Sequence, residues 1–204
     1  MNAAAVAHLV RSDKILARLI RKVGPCALKP TPALTPFQTL VRSVTYQQLN
    51  GTAAATIFRR LLALYPGMKF PAPEDLLATP DDRLRAAGLS RNKIAAVKDI
   101  AAKTLEGIIP ALRAIKTLSN QEILEWLTTV RGVGPWTVEM LLIFTLGRED
   151  VLPATDFGVR KGFALTYGLN DLPSPRDLQA HGEIWRPHRT TASWYLWRAV
   201  DLEQ

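Results

Sequence analysis

Helix-start signals recur along the whole chain, while strand signals are nearly absent. Most combine a capping residue with Pro at the first helical position or a Gln, Glu or Asp at the third, and apolar residues follow at helical spacing. They stand at Thr35-Pro36-Phe37-Gln38, Thr79-Pro80-Asp81-Asp82, Ser90, Ser119-Asn120-Gln121-Glu122 and Ser174-Pro175-Arg176-Asp177. A chain with many helix starts and few alternating apolar patterns is predicted to be all-α.

Composition narrows the classes of partner. The chain of 204 residues carries a formal net charge of +8, which favours a polyanion such as nucleic acid or an acidic membrane surface. Its single cysteine, Cys26, excludes an intramolecular disulfide framework and an iron–sulfur cluster built from several thiolates. No apolar run is long enough to span a bilayer and no secretion signal is recognisable, so we expect a soluble intracellular protein.

A Gly-x-Gly turn separates two helical patterns within residues 127–142. Gly132 and Gly134 allow a sharp turn, and Pro135 suits the first turn of the following helix. An alanine at either glycine is therefore expected to clash at the turn. Amides at such a helix start point outward and, with the positive end of the helix dipole, form a phosphate site that needs no base contact. The pattern indicates either an ordinary helical hairpin or one that holds a DNA backbone.

Four further segments carry a family resemblance. They are the segment around Asp156 (151–162), Val41 to Leu49, Trp185-Arg186-Pro187-His188-Arg189 and Trp194-Tyr195-Leu196-Trp197. With the hairpin, they resemble the helix-hairpin-helix superfamily of base-excision DNA glycosylases over residues 34–198. The nearest branch is 3-methyladenine DNA glycosylase II, in its compact form without an N-terminal β-rich domain.

The resemblance implies a two-lobed helix-hairpin-helix glycosylase fold with the active-site cleft between the lobes. We expect one glycosylase unit over residues 1–204, with lobe one at about 35–147 and lobe two at about 1–34 plus 152–204. The Pro-rich stretch 25–36 is the candidate connection between the lobes.

The same resemblance implies an enzyme that flips alkylated purines of the 3-methyladenine and 7-methylguanine type out of DNA and hydrolyses their N-glycosidic bond. Asp156 would be the catalytic carboxylate, although Asp before an apolar helix is by itself usually a cap. Members with lyase activity place a lysine where this chain has Trp136, so we expect monofunctional hydrolysis by water. No cofactor is expected to be required, and no iron–sulfur cluster.

The predicted base pocket is aromatic, because a positively charged alkylated purine is attracted to aromatic faces. Its walls would be Trp136, Trp197, Phe157 and Tyr46. Met140 stands where the family has a second pocket tyrosine, so the shape of the pocket is expected to differ. Two other tryptophans, Trp126 and Trp185, are assigned to the core.

The remaining implied residues contact DNA or an ion. Gln48 would fill the gap left by the flipped base, with Gln47 and Leu49 beside it, although a polar inter-helix loop explains these three residues nearly as well. The predicted phosphate-binding residues are Arg131, Gly132, Val133, Gly134, Trp136, Thr137, Arg160, Lys161 and Arg189. The backbone carbonyls of Thr128, Val130 and Val133 could hold a monovalent cation, Na⁺ or K⁺.

The implied partner is double-stranded DNA that contains alkylated bases, with no membrane and the protein as a monomer. The location would be cytoplasmic and nucleoid-associated in a bacterium, or nuclear in a eukaryote. Two alternatives stay open: a glycosylase for uracil or mismatched thymine, and a non-catalytic helix-hairpin-helix DNA-binding module.

Overall fold

The computed structural model describes residues 3–30, 34–49 and 51–203. Within these ranges every regular element is a helix, which confirms the predicted all-α fold. In chain order they are α1 (Ala3–Ser12), α2 (Lys14–Val23), α3 (Pro36–Tyr46), α4 (Gly51–Ala63), α5 (Pro73–Ala78), α6 (Asp81–Ala86), α7 (Arg91–Leu105), α8 (Leu112–Ile115), α9 (Asn120–Leu127), α10 (Pro135–Phe144), α11 (Phe157–Tyr167), α12 (Pro175–Gly182), a 3-10 helix (Glu183–Trp185) and α13 (Arg189–Asp201). None of the described helices is long and apolar enough to cross a membrane.

The chain divides into two compact units. The terminal unit comprises residues 1–30 and 142–204, and the central unit comprises residues 31–141. The second boundary therefore falls inside α10, whereas the sequence placed the end of lobe one at about residue 147. The first boundary lies in the Pro-rich stretch 25–36, of which residues 31–33 are outside the described residues.

Local capping explains where several of the helices begin. Thr35 and Gln38 exchange side-chain and backbone hydrogen bonds at the start of α3, and Ser119 and Glu122 do the same at α9. Thr79 differs from its prediction, because its hydroxyl donates to Asp75 O at the end of α5 and α6 begins at Asp81. Thr79, predicted to cap the start of α6, therefore caps the end of α5 instead.

The terminal unit packs around a large hydrophobic core in which Trp185 is fully buried, as predicted. Trp185 Nε1 donates to Asp13, which also caps α2 and accepts hydrogen bonds from Tyr167 and His181. Burial by itself would raise the pKa of the Asp13 carboxyl, but these hydrogen bonds outweigh burial and hold the pKa well below its usual value. One carboxylate thereby ties together four parts of the unit.

Two further side chains differ in burial. Cys26 packs against the same hydrophobic core, and burial raises the pKa of its thiol, so it behaves as a small apolar residue. Trp126, also assigned to the core, is instead 39% exposed on α9, and that assignment is wrong. Ile123 and Leu127 are the buried residues of α9 and form its inner face. Trp126 precedes Leu127, and its side chain lies to one side of that face.

Candidate functional site

Asp156 stands at the N-terminus of α11, after a tight turn at Ala154-Thr155. Its Oδ1 accepts hydrogen bonds from Val159 N at 2.7 Å and from Trp197 Nε1 at 2.8 Å. The first bond makes Asp156 a helix cap, which the sequence had weighed against catalysis. The second comes from a side chain 41 positions away and shows that the carboxylate is also held by α13.

Trp197 is oriented by its neighbours. Its indole stacks on Phe144 with ring centroids 5.8 Å apart, and its N–H edge points to Asp156. A Cβ added to Gly158 would lie 3.0 Å from Trp197 Cδ1 and 3.1 Å from Asp156 Oδ1, so only glycine leaves this contact unstrained. The sequence prediction made Trp197 a base-stacking wall of the pocket. It missed Phe144 and Gly158, because they are far from Trp197 in the chain and no sequence pattern indicates these contacts.

The terminal unit also holds Phe157 and three of the predicted phosphate-binding side chains. Phe157 is 66% exposed at the first position of α11. Arg160 Nε donates to Pro173 O at 2.9 Å, and Lys161 pairs with Glu203 at 2.6 Å. Both cations are therefore already engaged on the protein.

Arg189 is the least available of the predicted cations. Its side chain is 15% exposed, and its Nε donates to Asp150 Oδ1 at 2.6 Å. A second nitrogen, Nη2, donates to the other carboxylate oxygen of Asp150 at 3.1 Å, so the guanidinium is gripped at two points. This geometry argues against the predicted phosphate contact, because binding a phosphate would require breaking a partly buried ion pair.

The Gly-x-Gly turn lies in the central unit between α9 and α10. Gly132 has φ +74°, and a Cβ there would lie 2.5 Å from Ala96 Cβ, so both conformation and space require glycine. Gly134 lacks a left-handed φ, and no atom lies within 4 Å of an added Cβ. The expectation that alanine clashes at both glycines is therefore wrong for Gly134.

The predicted phosphate-binding amides of the hairpin turn (residues 128–134) and the start of α10 fall into two groups. The amides of Arg131, Val133 and Thr137 donate within the protein, to Asp99 Oδ2, Val130 O and Gly134 O respectively. Among the described residues, the Gly132 and Gly134 amides have no internal acceptor. These two N–H groups are the ones that the turn offers to a ligand.

The carbonyls predicted to hold a cation lie in the same turn. Among the described residues, no donor bonds to the carbonyl oxygens of Thr128 and Val133, whereas Val130 O accepts the Val133 amide at 3.0 Å. A carbonyl oxygen has two lone pairs, so Val130 O retains capacity for an ion. The three carbonyls therefore fit a monovalent cation chemically.

The loop segment 47–49, which follows α3, carries the three predicted gap-filling residues. Gln48 is exposed with φ +57°, and Leu49 is 39% exposed. Gln47 instead points to the hairpin turn, where its Nε2 donates to Gly132 O at 3.0 Å and Thr137 Oγ1 at 2.8 Å. Of the three predicted gap-filling residues, Gln48 and Leu49 are the exposed ones.

The other predicted pocket residues of the central unit are Tyr46, Trp136 and Met140. The Tyr46 ring makes an edge contact with Phe58 at 6.0 Å and lies under the Arg42 guanidinium at 5.3 Å. Trp136 is half-buried and Met140 is buried. These three residues belong to the central unit, whereas Asp156 belongs to the terminal unit.

Comparison with known proteins identifies the family of the chain. The family model described as "HhH-GPD superfamily base excision DNA repair protein" matches residues 41–187. DNA-3-methyladenine glycosylase 1 of Schizosaccharomyces pombe is 39% identical over 198 residues, covering 96% of this chain and 86% of the relative. The solved structure of a Schizosaccharomyces pombe 3-methyladenine DNA glycosylase in complex with abasic DNA superimposes with a TM-score of 0.91 at 39% identity, covering 96% of each chain. A DNA-3-methyladenine glycosidase structure from Bacillus halodurans gives a TM-score of 0.81 at 34% identity, covering 97% of this chain and 89% of that one.

Proposed function

Because the chain belongs to the HhH-GPD superfamily of base excision DNA repair proteins, we propose that it is a DNA glycosylase that hydrolyses the N-glycosidic bond of alkylated purines. The substrates are of the 3-methyladenine and 7-methylguanine type, in line with the names of its relatives. The single observation that carries the proposal is Asp156, fixed at the N-terminus of α11 by Trp197.

Asp156 serves as the catalytic carboxylate. Breaking an N-glycosidic bond builds positive charge on the deoxyribose, and a carboxylate held beside the sugar stabilises that charge or orients the attacking water. The hydrogen bonds from Val159 N and Trp197 Nε1 fix the position of Oδ1 before the substrate arrives. Preorganisation of this kind avoids the cost of reorienting dipoles during the reaction.

The alkylated base is bound by aromatic side chains. Tyr46, Trp136 and the exposed Phe157 are the side chains that we assign to this role. A methylated purine is cationic, so an aromatic face attracts it without a base-specific pattern of hydrogen bonds. The stacking of Trp197 on Phe144 points to orientation of Asp156 as the main role of Trp197.

DNA is held through its phosphates at the hairpin turn. The Gly132 and Gly134 amides donate to a phosphate, and the exposed Arg131 side chain adds positive charge. A Na⁺ or K⁺ ion held by the carbonyls of Thr128, Val130 and Val133 would supply further positive charge beside that phosphate. DNA affinity that changes when these cations are exchanged for a bulky organic cation at constant ionic strength would test the ion site.

The reaction is monofunctional, since Trp136 offers no amine to attack the sugar. The product is an intact strand with an abasic site, and the enzyme acts on double-stranded DNA as a monomer. Its place in the cell is therefore the nucleoid or the nucleus.

A base-release assay tests the function. Wild-type protein is incubated with DNA treated with a methylating agent, and with defined duplexes containing uracil or mismatched thymine. We expect 3-methyladenine and 7-methylguanine in the released fraction. Release of uracil or thymine alone would replace the proposed specificity, and DNA binding without any base release would identify a non-catalytic module.

A further inference from the structure

Lys93, which no sequence pattern singled out, lies beside the loop segment 47–49. Its Nζ donates to Thr45 O at 2.7 Å and to Gln47 O at 2.9 Å. These carbonyls end α3, where the last turn of a helix has no intrahelical donors. Lys93 therefore caps the C-terminus of α3 from the first turn of α7.

Within the part of the chain that the structure describes, the Lys93 ammonium group bonds only to these two carbonyls. The side chain is half-buried, and burial lowers the pKa of its ammonium group because the charged form loses hydration. Among the described residues, no carboxylate pairs with Lys93, so the two carbonyls replace the lost water. The half-buried ammonium group thus binds the backbone where α3 ends and the loop segment begins.

Gln47 continues the connection from the loop to the hairpin turn. Its backbone carbonyl is bound by Lys93, while its side-chain amide binds Gly132 O and Thr137 Oγ1. Gly132 is one of the two residues whose amides are offered to a phosphate. Polar bonds thus run from α7 through Gln47 to the phosphate-binding turn.

These bonds reach the loop segment across a side on which the structure leaves a hollow. A hollow of about 250 Å³ lies beside it, lined among others by Gln47, Gln48, Asn92, Lys93 and Gly132. Gln48, next to the carbonyl that Lys93 binds, adopts a left-handed φ of +57°. A non-glycine residue keeps such a conformation only where its surroundings hold it.

We propose that Lys93 and Gln47 are positioning residues that hold the loop segment 47–49 on the hairpin turn, so that Gln48 and Leu49 meet DNA in a preformed conformation. The proposal rests on the proposed function, in which these two side chains fill the gap left by a flipped base. Without the connection, the amides that bind phosphate remain, but the loop must be ordered each time DNA binds.

The test uses Lys93→Met and Gln47→Met, which keep the length of each side chain and remove its donors. Lys98→Met is the matched control, because Lys98 lies on the same helix, pairs with the exposed Asp81 and does not touch the loop. Melting curves first establish that each variant folds. Dissociation constants are then measured for an abasic-site duplex and for an intact duplex of the same sequence, at one salt concentration.

We expect Lys93→Met and Gln47→Met to lower the preference for the abasic-site duplex about tenfold, or about 1.4 kcal/mol, while binding to intact duplex changes by about twofold or less. Lys98→Met leaves that preference unchanged, and Lys93→Arg, which can donate to both carbonyls, restores it at least in part. A fluorescent 2-aminopurine beside the abasic site reports less unstacking with the two Met variants. Equal losses on both duplexes, or an unchanged preference, would overturn the proposal.

The outcome is separate from that of the proposed function. Wild-type protein that releases no alkylated base refutes the glycosylase activity, yet the binding comparison on the two duplexes still decides the role of Lys93. Conversely, an active wild type with unchanged binding in both Met variants refutes only the positioning role.

Discussion

Replacing Asp156 by asparagine separates catalysis from helix capping. The amide oxygen of asparagine can accept the hydrogen bonds that Oδ1 now takes from Val159 N and Trp197 Nε1. Asparagine is also as good a helix cap as aspartate, so we expect the free energy of unfolding to change by less than about 1 kcal/mol. What the variant loses is the negative charge beside the sugar.

The expected rate loss follows from that charge. Removing one preorganised electrostatic group from an active site lowers the rate by about 10²–10³ in other enzymes. By contrast, Asp156→Ala also loses the helix cap, which lowers the free energy of unfolding by about 1 kcal/mol. It also leaves the Trp197 N–H without its acceptor, which lowers that free energy by about 1–3 kcal/mol more. For a chain of this size, a total of about 2–4 kcal/mol lowers Tm by about 4–16 °C.

The assay is single-turnover release of 3-methyladenine, with a melting curve and a DNA-binding isotherm at the same salt concentration. We expect Asp156→Asn to fold and bind like wild type and to release base about 10²–10³ times more slowly. Some release by Asp156→Asn is expected because 3-methyladenine is a good leaving group. A fully active Asp156→Asn would remove this carboxylate from the mechanism, and a variant as unstable as Asp156→Ala would show that the charge is structural.

Four other experiments have defined outcomes. Gly132→Ala should lower the free energy of unfolding by about 2–4 kcal/mol in urea, because it combines a left-handed φ with overpacking. Gly134→Ala should leave that free energy within about 0.5 kcal/mol, since no protein atom lies within 4 Å of the added methyl group. Its methyl group should weaken binding to damaged and intact DNA alike, because it would stand where the turn meets DNA. Because Trp136 offers no amine, borohydride should trap no covalent adduct with DNA, and the strand should break only in hot alkali; a trapped adduct would contradict this. The lowered pKa of Asp13 means that its contribution to stability is present above about pH 4 and is lost as the pH falls below that. Asp13→Asn should therefore be less stable at pH 7 and should lose less stability between pH 4 and pH 3, whereas an equal loss in both proteins would assign the acid sensitivity to other groups.

Features that depend on a few consecutive residues could be predicted from the sequence. The capping exchange at Thr35 and Gln38 uses groups three residues apart, so its geometry follows from local order alone. The start of α10 at Pro135 is local for the same reason, because the ring sets φ and the missing N–H is not needed there. Asp156 could be predicted because the family motif is itself a pattern of residues along the chain.

Where two local signals competed, only the tertiary structure decided. Thr79 could cap the following helix or end the preceding one, and its hydroxyl took the carbonyl of Asp75. Gly132 and Gly134 look equivalent in the sequence, yet Ala96 from α7 approaches only Gly132. The difference lies in a contact with a residue 36 positions away in the chain.

The partners that orient the site come from contacts distant in sequence, and no local pattern encodes them. Trp197 was predicted near the base, but folding placed its N–H on Asp156 and its ring on Phe144. Lys93 reads in the sequence as one more surface cation, and only folding carries its ammonium to the end of α3, 46 positions from Gln47. Sequence thus determined which groups are present and which helices carry them. Tertiary packing decided which groups are buried together, because desolvation and hydrogen bonding depend on neighbours brought from elsewhere in the chain.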